Sequence, residues 1–393
     1  MKSKAVGLLL IMMVAFALGC IGGGQDKTTT TTTSAPQTTA SSHVTSSSPS
    51  SSSSSTTTTS TTALKPQTLV VYSYESFEYV AKAAFPKFEQ KYGVKVKLVT
   101  VGDAGQLLNR LILEKDSPQA DVVIGIDNSL AARAIEAGIL EPYKPKNIDI
   151  VPKWLIDKLD PTYHLIPYDY GYIAINYRLD KVSEPPKSLE DFTKPEWKDK
   201  LVIEDPRTSS PGAAFLLWTI AVYGDDGYLN YWQKLKENGV VITEGWSDAW
   251  YGKFMQEGYP LVLSYSTSPA ATVYYDNNTN VRAVAFTEGN YLQVEGAGII
   301  KGTKKKELAE KFIEWLLTED FQSEVPTNQW MYPVNPNVKL PEVYKYAVSP
   351  DEIKPVSLDP EYVRQNFNRW IREWTALMIQ DKSPEEIISS RKS

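Results

Sequence analysis

The stretch HLIPYDYGYIAINY, residues 164–177, decides the fold, because it reads as one continuous β-strand with no helix after it. The strands before it behave differently, since each is followed by residues with the apolar spacing of an amphipathic helix. A strand that breaks this alternation is not part of a simple repeating α/β layer. We therefore expect residues 164–177 to cross between two lobes of the protein.

The residues before this stretch predict a first α/β lobe. The apolar strand TLVVYS at 68–73 precedes a helical pattern that ends at Gly93, and the alternating strand at 94–101 precedes a helix at 104–115. The apolar strand DVVIGI at 121–126 is followed by a further helix. The order β-α-β-α-β-α is typical of a mainly parallel sheet covered by helices.

The residues after the stretch predict a second α/β lobe and a return to the first. A second α/β set begins with KLVIEDP at 200–206 and ends with LVLSY at 261–265. Strands at 281–286 and 292–300 then lead back toward the first lobe. Ligands of such sheets bind beyond the carboxyl ends of the strands. We therefore expect a ligand cleft between the lobes.

The N-terminal residues are predicted to be a leader and a stalk. Residues 1–20 read as a lipoprotein signal peptide, in which Lys2 and Lys4 precede an apolar run that ends in ALGC, with Cys20 as the lipidated residue. An uncleaved membrane anchor is the alternative, although the run is short for a membrane span. Residues 21–64 are mostly Ser and Thr, which cannot bury a core and form a disordered stalk. Both alternatives place the folded body outside the cell and anchored to its membrane.

Residues 65–393 are predicted to be one domain with two lobes. Lobe 1 comprises about 65–172 together with part of 287–393, and lobe 2 comprises about 175–286. The net charge of −6 and the absence of a basic cluster argue against a nucleic-acid partner. With two His and one Cys, the chain can form no disulfide of its own and few zinc sites or nucleophile–histidine pairs. We expect a monomer without a resident metal or cofactor.

Polar and aromatic residues follow the predicted strands of both lobes. They are Tyr74, Glu75 and Ser76, then Asp103 and Ala104, then Ser209 and Ser210, then Trp246, and finally Tyr265 and Ser266. Each of them alone is consistent with packing or with a turn. Together they form no pair of a nucleophile and a base, but they favour a ligand with flat rings, a positive centre and an anionic tail.

The motif EDPRTSSPG at 204–212 has two interpretations. Ser210 is expected to cap the helix that follows, with Pro211 at its first position. A helix N-terminus made of small residues also presents free N–H groups and a partial positive charge, which bind phosphate or carboxylate. The residues alone do not separate a structural cap from an anion site.

From Leu69 to about Trp374 the chain resembles the thiamine-binding proteins of ABC importers, within the periplasmic binding-protein superfamily. The motifs EDPRTSSPG, LSYSTSPA at 263–270 and NQWMYPV at 328–334, in this order and spacing, carry the resemblance. It implies a type II-like two-lobe fold with crossing hinge strands. It also implies that the lobes close on thiamine, thiamine monophosphate or thiamine diphosphate and deliver it to a permease.

The resemblance also implies which residues contact the ligand. Asp103 and Ala104 match contacts from the first lobe, and Tyr74 and Trp330 match aromatic residues that contact the rings. The phosphate-side contacts are matched by Ser209, Ser210, Trp246, Tyr265, Ser266, Thr267, Ser268 and Pro269. On this basis we expect the Ser-Ser-Pro-Gly turn both to cap a helix and to receive a phosphate.

One departure from the family leaves an aromatic contact open. Ala271 stands where relatives carry a tyrosine, so one wall of the ring pocket is absent unless Tyr274 or Tyr275 supplies it. The preference among thiamine and its two phosphates is therefore not predicted.

Two alternative functions remain to be considered. The pair Tyr274 and Tyr275 is of the kind that binds iron in ferric-ion binding proteins of the same superfamily, which generally add a histidine or carboxylate from the other lobe. Thiamine-degrading enzymes share the fold but use a cysteine nucleophile, and the only thiol here is Cys20 at the predicted lipidation position. We therefore expect a binding protein and not an enzyme.

Overall fold

The computed structural model describes residues 66–391, in which strands and helices alternate along the chain. The strands are β1 (Thr68–Ser73), β2 (Lys95–Thr100), β3 (Val122–Asp127), β4 (Leu140–Glu141), β5 (Ile166–Arg178), β6 (Leu201–Glu204), β7 (Val241–Thr243), β8 (Leu261–Tyr265), β9 (Val281–Ala283), β10 (Asn290–Ile300), β11 (Tyr332–Pro333) and β12 (Pro355–Val356). The helices are α1 (Glu78–Tyr92), α2 (Ala104–Leu113), α3 (Ala131–Glu136), α4 (Lys153–Leu159), α5 (Ser210–Glu237), α6 (Ser268–Asp276), α7 (Lys306–Leu316), α8 (Glu319–Gln322), α9 (Val325–Asn328), α10 (Pro360–Met378) and α11 (Pro384–Ser390).

The predicted leader and stalk are not part of this description. The signal peptide at 1–20, its lipidation residue Cys20 and the stalk at 21–64 all lie outside the described residues. Between residues 66 and 391, none of the helices combines the length and the apolar character needed to cross a membrane.

Two groups of three parallel strands form the centres of the two lobes. The neighbours β2, β1 and β3 are parallel in the first group, and β7, β6 and β8 are parallel in the second. Strand β10 pairs antiparallel with β3, and β5 pairs antiparallel with β8. The spatial order is therefore β2-β1-β3-β10-β5-β8-β6-β7, with β10 and β5 in the middle. The predicted α/β fold with two lobes is confirmed.

Strand β5 passes from one lobe to the other. Its residues up to Tyr172 pair with β10, whereas its residues from Ile173 onward pair with β8. Strand β10 in turn joins β5 to β3 of the first group. The prediction that residues 164–177 cross between the lobes is confirmed.

Much of the tryptophan content belongs to the hydrophobic core. Five of the ten tryptophans are completely buried, namely Trp218, Trp232, Trp315, Trp370 and Trp374. Large flat rings of this kind pack edge to face, as Trp232 and Trp374 do at 5.6 Å between ring centroids. These five tryptophans are therefore not available to a binding site.

The start of α5 differs from the prediction by one residue. Ser209 has the extended conformation of a cap residue, with φ −115° and ψ 139°, and Ser210 is already helical. The prediction that Ser210 caps the helix with Pro211 at its first position was wrong. The Ser210 hydroxyl donates a hydrogen bond to the Asp127 carboxylate on β3 of the other lobe instead. The helix is interrupted at Gly224, where φ is 76°, and resumes beyond it.

Candidate functional site

A cavity of about 360 Å³ lies between the lobes, where several strands end. Its volume is within the range of about 300–1,000 Å³ that is usual for sites of small molecules. A second space of about 300 Å³ adjoins it and shares Tyr74, Ser76, Asp103 and Trp246 with it. The expected ligand cleft is therefore present.

Most of the residues predicted to bind the ligand line this cavity. They are Tyr74, Asp103, Ala104, Ser210, Trp246, Tyr265, Ser268 and Trp330. The remaining four are buried and do not line it, namely Ser209, Ser266, Thr267 and Pro269. Two of these four hold the backbone near the cavity, since the Thr267 hydroxyl donates to the Trp330 carbonyl and the Ser266 N–H donates to the Tyr172 carbonyl at 2.8 Å.

Trp330 is held rigidly at the cavity. Its φ of 60° lies in the left-handed region, which is rare for a residue with a bulky side chain. The conformation is supported by the Trp330 N–H, which donates to the Val325 carbonyl at 3.1 Å, and by the stacked ring of Tyr344 at 6.1 Å. Strained backbone of this kind persists where the surroundings over-determine it, and often at ligand clamps. The Trp330 ring is therefore preorganised.

Trp246 lies opposite, within a second aromatic group. Its indole N–H donates to the Ser264 hydroxyl at 2.8 Å, and its ring stacks on Trp250 with centroids 5.9 Å apart. Its backbone N–H donates to the Asp103 carboxylate at 3.1 Å. Because Asp103 also caps α2 of the first lobe, accepting from the Ala104 N–H at 2.7 Å, this hydrogen bond joins the two lobes across the cavity.

Tyr74 lines the cavity next to β3. Its ring lies directly against Gly125, where a Cβ atom would come within 2.1 Å of the ring. Only glycine fits there, and its φ of 97° would also strain any other residue. The Tyr74 hydroxyl donates to the Glu295 carboxylate at 2.7 Å. Strand β3 thus sets the position of a ring that the sequence predicted as a ligand contact.

Three buried carboxyl groups occupy paired positions on adjacent strands beneath the cavity. Glu295 on β10 is paired with Asp127 on β3 and with Asp169 on β5. Burial raises the pKa of all three groups, and that of Asp127 reaches about 7. Repulsion from Glu295 further raises the pKa of Asp127 and of Asp169. These three residues, the acidic row, favour a proton or another positive charge nearby.

The charged side chains that line the cavity are acidic, like those of the acidic row. Asp103, Asp276 and Glu295 are the charged residues that line the main cavity, and its described lining includes no Lys, Arg or His. Glu204 is completely buried, and this burial together with repulsion from Asp103 raises its pKa well above the usual range. The electrostatic character of the site therefore favours a cationic ligand.

Among the described residues of the lining, the positive poles are the starts of helices. Ala104, Ser210 and Ser268 are the first residues of α2, α5 and α6, and all three line the cavity. Backbone N–H groups at a helix start carry a partial positive charge. An anionic tail of a ligand would therefore be received by backbone groups.

Sequence analysis missed several residues of this site. Glu295 stands out in retrospect, since it is the one charged residue in the buried strand β10. Tyr79 and Tyr251 also line the cavity, but each lies on a helical segment where an exposed tyrosine is an ordinary surface residue. Of the two tyrosines that the sequence left open beside Ala271, Tyr275 lines the cavity and Tyr274 does not.

The structure does not favour the iron site considered from the sequence. The Tyr275 hydroxyl donates to the Thr327 carbonyl at 3.1 Å. Across residues 66–391, no three His, Cys, Asp or Glu residues are grouped so that they could hold a metal ion. His164 interacts with Thr162 and Asp160 and does not line the cavity.

Comparisons with known proteins agree with this description. Residues 117–352 match the model of a family described as bacterial extracellular solute-binding protein. The thiamine-binding periplasmic protein of Salmonella typhimurium is 38% identical over 317 residues, which are 79% of this chain and 94% of that protein. The solved structure of a periplasmic thiamin binding protein is 36% identical, has a TM-score of 0.72, and is matched over 80% of this chain and 99% of its own.

A more distant structure shares the fold alone. Iron-bound HitA from Pseudomonas aeruginosa has a TM-score of 0.66 and 22% identity, with 79% of this chain and 99% of that chain covered.

Proposed function

The chain belongs to the family of bacterial extracellular solute-binding proteins, and we propose that it captures thiamine for an ABC importer. Its relatives are periplasmic binding proteins, and this chain is likewise a binding protein and not an enzyme. It works outside the cytoplasm, where it takes up its ligand and passes it to the transporter.

The observation that carries the proposal is the combination of acidic groups and ring faces in one cavity. Thiamine contains a thiazolium ring with a permanent positive charge and a second flat ring. The rings of Trp246 and Trp330 line the cavity, and the charged residues of the lining are acidic. A tryptophan face attracts a cation by about 0.5–2 kcal/mol, with the larger values where water is excluded. Both parts of thiamine therefore find complementary groups.

We propose that Glu295 and Asp127 supply the counter-charge of the thiazolium ring. Glu295 lines the cavity, and Asp127 is paired with it on the neighbouring strand. A nearby cation lowers the pKa of a carboxyl group. Since burial holds the pKa of Asp127 at about 7 in the free protein, thiamine binding near neutral pH should release a proton from this group.

We propose that a phosphate on thiamine would face the starts of α5 and α6. Ser210 and Ser268 lie there at the starts of α5 and α6, whose helix dipoles are suited to an anion, whereas the Ala104 N–H already donates to Asp103. Ser209 is buried before the start of α5, and its carbonyl accepts a hydrogen bond from the Ala213 N–H at 3.0 Å. Thiamine, its monophosphate and its diphosphate are thus the ligands to be compared.

We propose that the protein is a monomer tethered to the outer face of the membrane. A lipid on Cys20 would provide the anchor, and the Ser/Thr-rich residues 21–64 would separate the binding domain from the membrane. Release of the protein into the soluble fraction by a Cys20→Ala substitution would test the anchor independently of binding.

Calorimetric titration of the full-length, ligand-stripped protein in detergent tests the proposed ligand. We expect one binding site for thiamine and much weaker binding of the aminopyrimidine fragment, which lacks the charged ring. The mono- and diphosphates form separate arms of the experiment. The absence of heat with thiamine and with both phosphates would refute the proposal, and a visible absorption band with ferric citrate would support the iron alternative instead.

A further inference from the structure

One face of α6 lines the cavity from the start of the helix to its end. The residues on this face are Ser268, Ala271, Thr272, Tyr275 and Asp276, which are spaced three or four positions apart. Tyr275 is the one residue among them with a ring. Ala271, one turn earlier on the same face, contributes only a methyl group. The helix therefore leaves open space in its middle and places a single ring beyond it.

The ring of Tyr275 is held in place although much of it is exposed. Tyr275 is 57% exposed, and its ring meets that of Trp330 edge to face at 5.6 Å and 71°. Its hydroxyl donates to the Thr327 carbonyl at 3.1 Å. Its ring also meets that of Tyr274 at 5.1 Å. A ring fixed by two packing contacts and one hydrogen bond loses little further freedom when a ligand binds against it.

Two more exposed tyrosines line the same cavity from other elements. Tyr79 on α1 is 55% exposed, and Tyr251 in the helical segment Asp248–Gln256 is 45% exposed. Tyr251 packs edge to face on Trp246 at 5.5 Å, and its pKa is raised to about 12, mainly by burial and next by the proximity of Tyr79. Exposed rings gathered at the rim of a cavity indicate a binding surface.

We propose that Tyr275, with Tyr79 and Tyr251, forms an outer aromatic wall of the cavity, and that the Tyr275 ring contributes to the affinity for the flat ring held there. The inference rests on the proposed function and identifies residues that act on the same ligand. An aromatic contact of this kind changes affinity by about two- to tenfold. The ligand class is a planar, cationic heteroaromatic molecule, for which thiamine is the probe.

The adjacent residue Tyr274 provides a matched control. It is 54% exposed, and its ring also meets that of Trp330, at 5.3 Å and 61°, but it does not line the cavity. Both Tyr274→Ala and Tyr275→Ala therefore remove a ring that supports Trp330, and only the second removes a wall of the cavity. Tyr275→Phe keeps the ring and removes the hydroxyl that donates to Thr327.

The test is a calorimetric titration of the full-length variants with thiamine, together with the melting temperature of each unliganded protein. We expect Tyr275→Ala to raise the Kd by about five- to tenfold, and Tyr274→Ala and Tyr275→Phe to change it by less than about twofold. All three melting temperatures should stay near that of the wild type, because both side chains are largely exposed.

Two results would overturn the inference while leaving the proposed function intact. One is an equal Kd for Tyr275→Ala and Tyr274→Ala, which would reduce Tyr275 to a support of Trp330. The other is an equal loss in Tyr275→Phe and Tyr275→Ala, which would assign the effect to the hydroxyl. A wild-type protein that does not bind thiamine would overturn the function as well, and this is known before any variant is measured.

Discussion

Replacing Asp127 with asparagine should reduce the pH dependence of the free energy of unfolding near neutral pH. The Asp127 carboxyl is completely buried on β3 and accepts hydrogen bonds from the Ser129 and Leu130 N–H groups at 2.9 and 3.1 Å. Asparagine has the same shape, and its side-chain oxygen can keep these two hydrogen bonds while its amide faces Ser210. The substitution therefore removes a titrating group with little change in packing.

The sign of this pH dependence follows from the direction in which the pKa of Asp127 is shifted. Burial, and next the repulsion from Glu295, raise the pKa of Asp127 from its ordinary value of 3.8 to about 7. The folded protein thus binds this proton more tightly than the unfolded chain does. Stability from this group is fully present below about pH 4 and is lost as the pH rises through about 7.

The size of the change in the free energy of unfolding follows from the same pKa shift. A displacement of about three units corresponds to roughly 4 kcal/mol over the whole range. Between about pH 6 and about pH 8, the part that changes is about 1.4 kcal/mol. Asp103, Asp169, Glu204 and Glu295 also have raised pKa values, so the difference between the wild type and Asp127→Asn, and not the total pH dependence, reports on Asp127.

Urea denaturation of the ligand-free protein at several pH values measures the effect. The wild type should lose about 1.4 kcal/mol more than Asp127→Asn between about pH 6 and about pH 8. The control is Asp180→Asn, which removes an exposed carboxyl whose pKa is lowered, chiefly by a hydrogen bond from Asn280 at 2.6 Å. Parallel stability curves for the wild type and Asp127→Asn would refute the argument, because Asp127 would then carry the same charge in the folded and the unfolded chain.

Three further predictions concern ligand binding. Glu295→Gln should weaken thiamine binding by about tenfold, because it removes a carboxylate from the cavity lining, and calorimetry giving an unchanged Kd would contradict this. Trp330→Leu should also weaken thiamine binding by about tenfold with a nearly unchanged melting temperature; a lowered melting temperature with intact affinity would instead assign Trp330 to the core. Ser209→Ala combined with Ser210→Ala should change the affinities for thiamine and thiamine monophosphate by similar factors, because the Ser210 hydroxyl donates to Asp127 and Ser209 does not line the cavity, and a loss confined to the monophosphate in two parallel titrations would instead indicate a direct hydroxyl contact to phosphate.

The sequence by itself was sufficient for the order of elements. Apolar periodicity predicted the alternation of strands and helices, and the unbroken strand-like run at 164–177 predicted the crossing strand. These features depend on neighbouring residues, whose spacing directly determines which face of a strand or helix is apolar. The position of the α5 start was missed by one residue, because Ser209 and Ser210 are chemically equivalent as caps.

The candidate site was predictable where residues follow strands. Parallel strands bring their carboxyl ends to one edge of a sheet, so Tyr74 and Asp103, which follow the parallel strands β1 and β2, could be expected to meet. Two residues that are adjacent in sequence can differ in their contact with the cavity. Ser268 lines it, whereas Thr267 is buried and does not. Which of two adjacent residues faces the ligand depends on how α6 is rotated against the rest of the lobe.

Only the tertiary structure shows that the residues of the acidic row, and those of the outer aromatic wall, lie close together. Asp127, Asp169 and Glu295 are far apart in the chain and meet because the registers of β3, β10 and β5 pair them. Tyr79 and Tyr275 come from helices that are packed on different strands, and the contact between two lobes brings them to one cavity. Strand register and helix packing are set by long-range burial of apolar surface, which a local pattern of residues does not encode.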